Sequence, residues 1–122
     1  AETVMLVEDE AGILSLGQAV LKQYGYTVLA AQTPQAALDQ VQSHAGAIDL
    51  LITDVVMPGM NGKVLSERIA ALRPGVKTLF MSGYTADVIA HHGVLQEGVH
   101  YLQKPFAVKA MAAKVRQVLD GV

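Results

Sequence analysis

Cysteine is absent from the 122 residues, which excludes disulfide scaffolds, Cys-based zinc sites and thiol catalysis. Charge is scarce as well. Nine Lys and Arg stand against eleven Asp and Glu, the formal net charge is −2, and the basic residues are scattered without ever forming a run. The chain therefore lacks an electrostatic footprint for nucleic acid or anionic lipid, and no direct DNA binding is expected. No apolar stretch reaches the ~18 residues of a membrane span. The opening Ala1-Glu2-Thr3 has neither the basic segment nor the apolar core of a signal peptide. The expectation is a cytoplasmic domain with no membrane contact of its own, though its parent protein could be membrane-anchored. The missing initiating Met fits a processed chain or a domain cut from a longer one. What is abundant is apolar side chain, 52% of the whole. A chain of this size buries roughly two thirds of its unfolded surface. Residues 1–122 are thus expected to fold as one domain without a disulfide or a structural metal.

Short apolar runs alternate five times with longer segments of helical period, a pattern that means a parallel sheet covered by helices. The runs are Val4 to Val7, Tyr26 to Ala30, Ile48 to Thr53, Lys77 to Met81 and Val99 to Leu102. Three of them are apolar almost throughout, as strands covered on both faces should be. Ile13, Gly17, Val20, Leu21 and Tyr24 predict a helix over 11–24 that stops before Gly25. Thr33-Pro34 offers an N-cap with proline at the first helical position of a second helix, which carries Ala37, Leu38 and Val41. Asn61 or Gly62 opens a third, with Leu65, Ile69 and Leu72 inward and Pro74-Gly75 as its stop. Val108, Met111, Ala112, Val115 and Leu119 form the inner stripe of the last helix. Between the fourth and fifth runs only a weak helix around Ala86 to His91 is expected, broken at Gly93.

Ligands of open parallel sheets sit beyond the carboxyl ends of the strands, near the point where strand order reverses. Glu8-Asp9-Glu10 follow the first run and Asp54 the third, so if these strands are neighbours, several carboxylates converge at one edge. Such crowding costs energy without a cation, and oxygen ligands there suit Mg²⁺ better than zinc. Ser82 follows the fourth run and Lys104 the fifth. A divalent ion, an ammonium and a hydroxyl can together balance the oxygens of a phosphoryl group, while a carboxylate between them attacks phosphorus. Phosphoryl transfer to Asp54 follows as the natural chemistry. Each residue alone has a plainer reading: the acids as caps of the next helix, Ser82 as a turn residue, Lys104 as a solvated side chain. Their joint placement at successive strand ends favours the chemical one.

These residues in this order resemble the receiver domain of two-component response regulators, the CheY-like fold, over the whole chain. The resemblance rests on Val7-Glu8-Asp9-Glu10, Asp54-Val55-Val56-Met57-Pro58-Gly59-Met60-Asn61-Gly62, Met81-Ser82-Gly83-Tyr84 and Tyr101-Leu102-Gln103-Lys104-Pro105-Phe106. It implies a doubly wound α/β sheet of five parallel strands in the order 2-1-3-4-5, with helices on both faces. It also implies an aspartyl-phosphate at Asp54, taken from phosphohistidine on a histidine kinase or a histidine phosphotransfer domain. Asp9, Asp54 and the backbone carbonyl of Val56 would bind Mg²⁺ or Mn²⁺. Glu8, standing where the family often has Asp, would act through water. Lys104 would contact the phosphoryl oxygens, its bond to Pro105 cis. Ser82 and Tyr101 take the places of the switch hydroxyl and switch aromatic: an anion at Asp54 draws Ser82 toward it and Tyr101 fills the space, reshaping the face of the fourth helix, fifth strand and last helix. Plain packing is the alternative role for Tyr101. Apolar Val56 and bulky Tyr84 predict slow self-dephosphorylation.

His91-His92, His44 and His100 are too scattered to hold a transition metal and are expected to be surface or partly packed. Gly59 to Gly62 lacks the Lys and spacing of a phosphate loop. A haloacid-dehalogenase-like phosphatase would carry a second acid where Val56 stands. A flavodoxin-like module would have a phosphate loop where Glu8-Asp9-Glu10 would repel phosphate. The domain is expected to be a free-standing receiver or one cut from a longer chain. The last two motifs, with Val115 to Asp120, look most like the terminal receivers of hybrid sensor histidine kinases, where phosphate passes onward. A phosphorylation-dependent dimer is a further expectation.

Overall fold

Alternation of side chains along the first strand sets the architecture. In β1 (Thr3–Val7), Val4 and Leu6 enter one apolar cluster and Met5 and Val7 another, and all four are buried. A strand apolar on both sides needs helices over both. The computed structural model describes residues 2–83 and 99–121. It shows β2 (Thr27–Ala31), β3 (Leu50–Asp54), β4 (Lys77–Ser82) and β5 (His100–Gln103) joining β1 in one parallel sheet of order 2-1-3-4-5. One face is covered by α1 (Ala11–Gln23) and by α4 (Val108–Asp120), whose Met111, Val115 and Val118 are buried against the sheet. The other face is covered by α2 (Pro34–Ser43) and α3 (Gly62–Leu72), through Ala37, Leu38, Val41, Leu65 and Ile69.

Local chemistry fixes the helix ends. The Thr33 hydroxyl accepts from Ala36 N at 3.1 Å, and Pro34 opens α2 as its missing N–H allows. Asn61 Oδ1 accepts from Val64 N at 2.9 Å and caps α3. Gly25, at φ 93°, takes the left-handed turn after α1 that other residues resist.

Tyr24, Leu72 and Val108 do not lie inward as their spacing predicts; they are 51%, 42% and 41% exposed. Each stands at a helix end, where the helical period continues but the axis has run past the sheet. Val118, outside the predicted stripe, is buried in their stead. Strands also run one residue further than their apolar runs: Asp54 pairs with Met81 and Ser82 with Gln103, so both residues close strands and do not follow them. The predicted weak helix around Ala86 to His91 lies outside the described residues, as do Tyr84, His91 and His92.

Candidate functional site

Pairing of β1 with β3 puts Val7 opposite Thr53, so the next residues, Glu8 and Asp54, stand side by side at the carboxyl ends of the two strands. Glu8 N donates to Ala31 O at 3.1 Å, which keeps this residue at the sheet edge with no exposed surface. Asp9, one step further, is exposed, and Glu10 N donates to Glu8 Oε1 at 3.3 Å. Asp54 is 3% exposed at the end of β3. Lys104 N donates to Ser82 O at 2.8 Å, holding the chain after β5 beside the end of β4, and the Lys104–Pro105 bond is cis. From there the ammonium stands 2.7 Å from Asp54 Oδ1 and 3.1 and 3.4 Å from the two oxygens of Glu8.

The cluster is electrostatically unfinished. Burial, reinforced by the Glu8 carboxyl and only partly offset by Lys104, pushes the Asp54 carboxyl up to about 8. Burial opposes the charge on Lys104 too, but the Asp54 and Glu8 carboxylates outweigh it and hold the ammonium above its ordinary value. Asp54 Oδ2 is buried without a hydrogen-bond partner among the described residues. Glu8, Asp9 and Asp54 each offer a carboxylate oxygen, all within 4.8 Å of one another. Hard oxygen donors of one sign around an unsatisfied buried oxygen fit a small divalent cation such as Mg²⁺.

Ser82 ends β4 at the same edge and is 2% exposed. Tyr101, opposite Phe80 in the sheet, is half-buried in a small cluster with Val55, Val56, Phe80 and Val99. Its hydroxyl lies 3.1 Å from Ser82 O and 2.8 Å from Gln103 Oε1, and burial holds it above the usual tyrosine value. Tyr101 thus packs and is tied to the Ser82 backbone at once. His44 caps α2 and His100 begins β5, at the other end of that strand from Lys104.

Two neighbours of Asp54 escaped the sequence reading. The buried Thr53 hydroxyl donates to Asp54 O at 3.1 Å, and Gly62, at the start of α3, rests against that same carbonyl. A hydroxyl closing the third apolar run, directly before Asp54, was the available signal for Thr53. The direct pairing of Glu8 with Lys104 had none, because it depends on one sheet gathering the ends of strands far apart in sequence.

Residues 4–116 match the response regulator receiver domain family. Sensor kinase CckA of Brucella abortus is 36% identical over 118 residues, which are 97% of this chain and 12% of that protein. Transcriptional regulatory protein CreB of Escherichia coli is 32% identical over 121 residues, 99% of this chain and 52% of that one. The chain spans about half or less of the length of these curated relatives. Among solved structures, the receiver domain from hybrid histidine kinase CckA aligns with a TM-score of 0.81 at 35% identity, covering 96% of this chain and 98% of that one. A CheY-like receiver from Methanospirillum hungatei JF-1 aligns at 0.85 and 26% identity, over 98% and 94%. Because the match runs from β1 nearly to the end of α4 and the fold is that of these relatives, the chain belongs to the response regulator receiver family: it is a receiver domain of two-component signalling.

Proposed function

We propose that Asp54 is the phosphoacceptor and that it takes its phosphoryl group from phosphohistidine on a histidine kinase or a phosphotransfer domain. One observation carries this reading: a buried carboxylate with one oxygen against the Lys104 ammonium and the other without a hydrogen-bond partner among the described residues. The Asp54 oxygen forms the new bond to phosphorus, the phosphorus–nitrogen bond breaks, and its electron pair stays on the imidazole. Asp9, Asp54 and the Val56 carbonyl would hold Mg²⁺ or Mn²⁺, with Glu8 acting through water. Bound there, the cation supplies the positive charge that keeps Asp54 ionised and balances the phosphoryl oxygens. Lys104, already against Asp54 Oδ1, would contact the same oxygens.

Ser82 and Tyr101 read the event. A hydroxyl at the end of β4 is a donor for the new anion, and Tyr101, already bonded to the Ser82 backbone, responds to its movement. Val56 cannot orient a water on phosphorus, which supports slow self-dephosphorylation. Where a phosphatase of the haloacid-dehalogenase type would carry its second acid stands Val56, and buried Glu8 stands where a flavin phosphate loop would run. Residues 1–122 act as one receiver unit in the cytoplasm, without contacting DNA or membrane directly. Likeness to a segment of a sensor kinase supports placement in a hybrid histidine kinase, with Asp54 as a relay station and any dimer dependent on phosphorylation.

A phosphotransfer domain labelled on its histidine tests the assignment. Label is expected to move to the wild type in Mg²⁺ but not to Asp54→Asn, nor to the wild type in EDTA. Equal labelling of Asp54→Asn would refute it.

A further inference from the structure

The Asp54 carboxylate is poorly held by its own surroundings. It faces the Glu8 carboxyl, one oxygen has no hydrogen-bond partner among the described residues, and its contact with Lys104 runs through a long, flexible side chain. Its place must therefore be set from the main chain. Two contacts converge on the Asp54 carbonyl. The Thr53 hydroxyl, fully buried, donates to it at 3.1 Å and lies 3.8 Å from Met57 Sδ. On the other side Gly62 packs so close that a Cβ there would stand 2.0 Å from the carbonyl oxygen and 3.2 Å from Thr53 Cγ2. Real Cβ atoms essentially never come nearer than 3.0 Å, and a backbone oxygen in a sheet has no rotamer by which to retreat. Gly62 N also donates to Val55 O at 2.7 Å, and Val55 N to Met81 O at 3.0 Å.

We infer that Thr53 and Gly62 form a main-chain clamp that positions Asp54, a role separate from metal coordination and phosphoryl contact. The inference rests on Asp54 being the phosphoacceptor. Thr53 is a positioning residue: its hydroxyl bonds the Asp54 carbonyl and acts by fixing the peptide from which the nucleophile projects. Gly62 acts through the side chain it lacks, since any Cβ would force the Asp54 carbonyl and the start of α3 apart by about 1 Å, and misplacement of a reacting group on that scale can cost on the order of a hundredfold in rate.

Thr53→Val keeps the shape and strand preference of the residue while removing the hydroxyl, and Thr53→Ser keeps the hydroxyl. Gly17→Ala is the control: it crowds Leu6 Cδ2 at 3.0 Å inside the other apolar cluster, away from the site. Mg²⁺ affinity by calorimetry and the rate of phosphorylation by acetyl phosphate are measured on protein shown folded by circular dichroism. Thr53→Val is expected to lose about tenfold in Mg²⁺ affinity and in rate, as loss of a supporting hydrogen bond behind a metal ligand typically does, with Thr53→Ser near wild type. Gly62→Ala is expected to lose more, and Gly17→Ala to match wild type in both readouts whatever its effect on the melting temperature. The clamp is overturned if folded Thr53→Val matches wild type in both readouts, or if Thr53→Ser fails as Thr53→Val does. A wild type that binds Mg²⁺ but takes no phosphate refutes the phosphoacceptor reading, and the Mg²⁺ titrations still decide the clamp.

Discussion

Burial of a carboxylate beside another carboxylate is unfavourable, and Asp54 shows it. With its carboxyl raised from 3.8 to about 8, the metal-free folded state binds a proton that the unfolded chain releases. Between those two values the folded state carries more protons than the unfolded one, so stability falls as pH rises through the window. Each unit of displacement is worth about 1.4 kcal/mol, and Asp54→Asn removes the dependence. In EDTA the melting temperature of Asp54→Asn minus that of wild type should therefore grow from pH 5.5 to 8.5; a constant difference would contradict the raised value. Lys104→Met leaves Glu8 and Asp54 buried without their ammonium. It should cost about 3 kcal/mol at pH 8.5 by urea denaturation, as loss of one partner from a buried pair does, and less at pH 5.5, where Asp54 holds its proton. The same scale explains what was hidden from the sequence. Glu8 could be read as an acid near a metal, but its two contacts with Lys104, 96 residues away, exist only once β1 and β5 share a sheet.

Helices and strands were the most legible level, for a physical reason: period and capping chemistry are local. Thr33-Pro34 and Asn61 announce α2 and α3, and both side chains make the bonds expected of them. Asn61→Ala should lower stability by about 1 kcal/mol in the same denaturation assay. Local rules fail where an element leaves the layer it packs on, hence the exposed Tyr24, Leu72 and Val108. The distinction is measurable: Met111→Ala should cost about 2–5 kcal/mol, whereas Leu72→Ala should stay within about 0.5. Similar losses at both positions would deny the assignment of faces. The end of α3 held another surprise. Pro74-Gly75 was the readable stop, yet the Arg73 guanidinium donates to the carbonyls of Val41, His44 and Gly46 and ties the end of α2 to α3. Nothing in the spacing of Arg73 marks a partner about thirty residues back.

At the scale of the molecule, five parallel strands in the order 2-1-3-4-5 bring acids, hydroxyl and ammonium to one edge, and that convergence was foreseeable from strand ends alone. The main-chain clamp behind Asp54 was not, since it depends on α3 folding back to within a Cβ of β3. Lifetime of the phosphorylated state belongs to this scale as well. Val56→Asn places a polar side chain where water must approach phosphorus, and label on Asp54 should be lost several-fold faster than from wild type, as a positioned polar group aids proton transfer. Equal rates would remove Val56 as the cause of slow turnover. The most direct measurement is the intact mass of the domain after incubation with acetyl phosphate and Mg²⁺. The account predicts one added phosphoryl group on wild type and none on Asp54→Asn or in EDTA; an unmodified wild type, or the same adduct on Asp54→Asn, would contradict it.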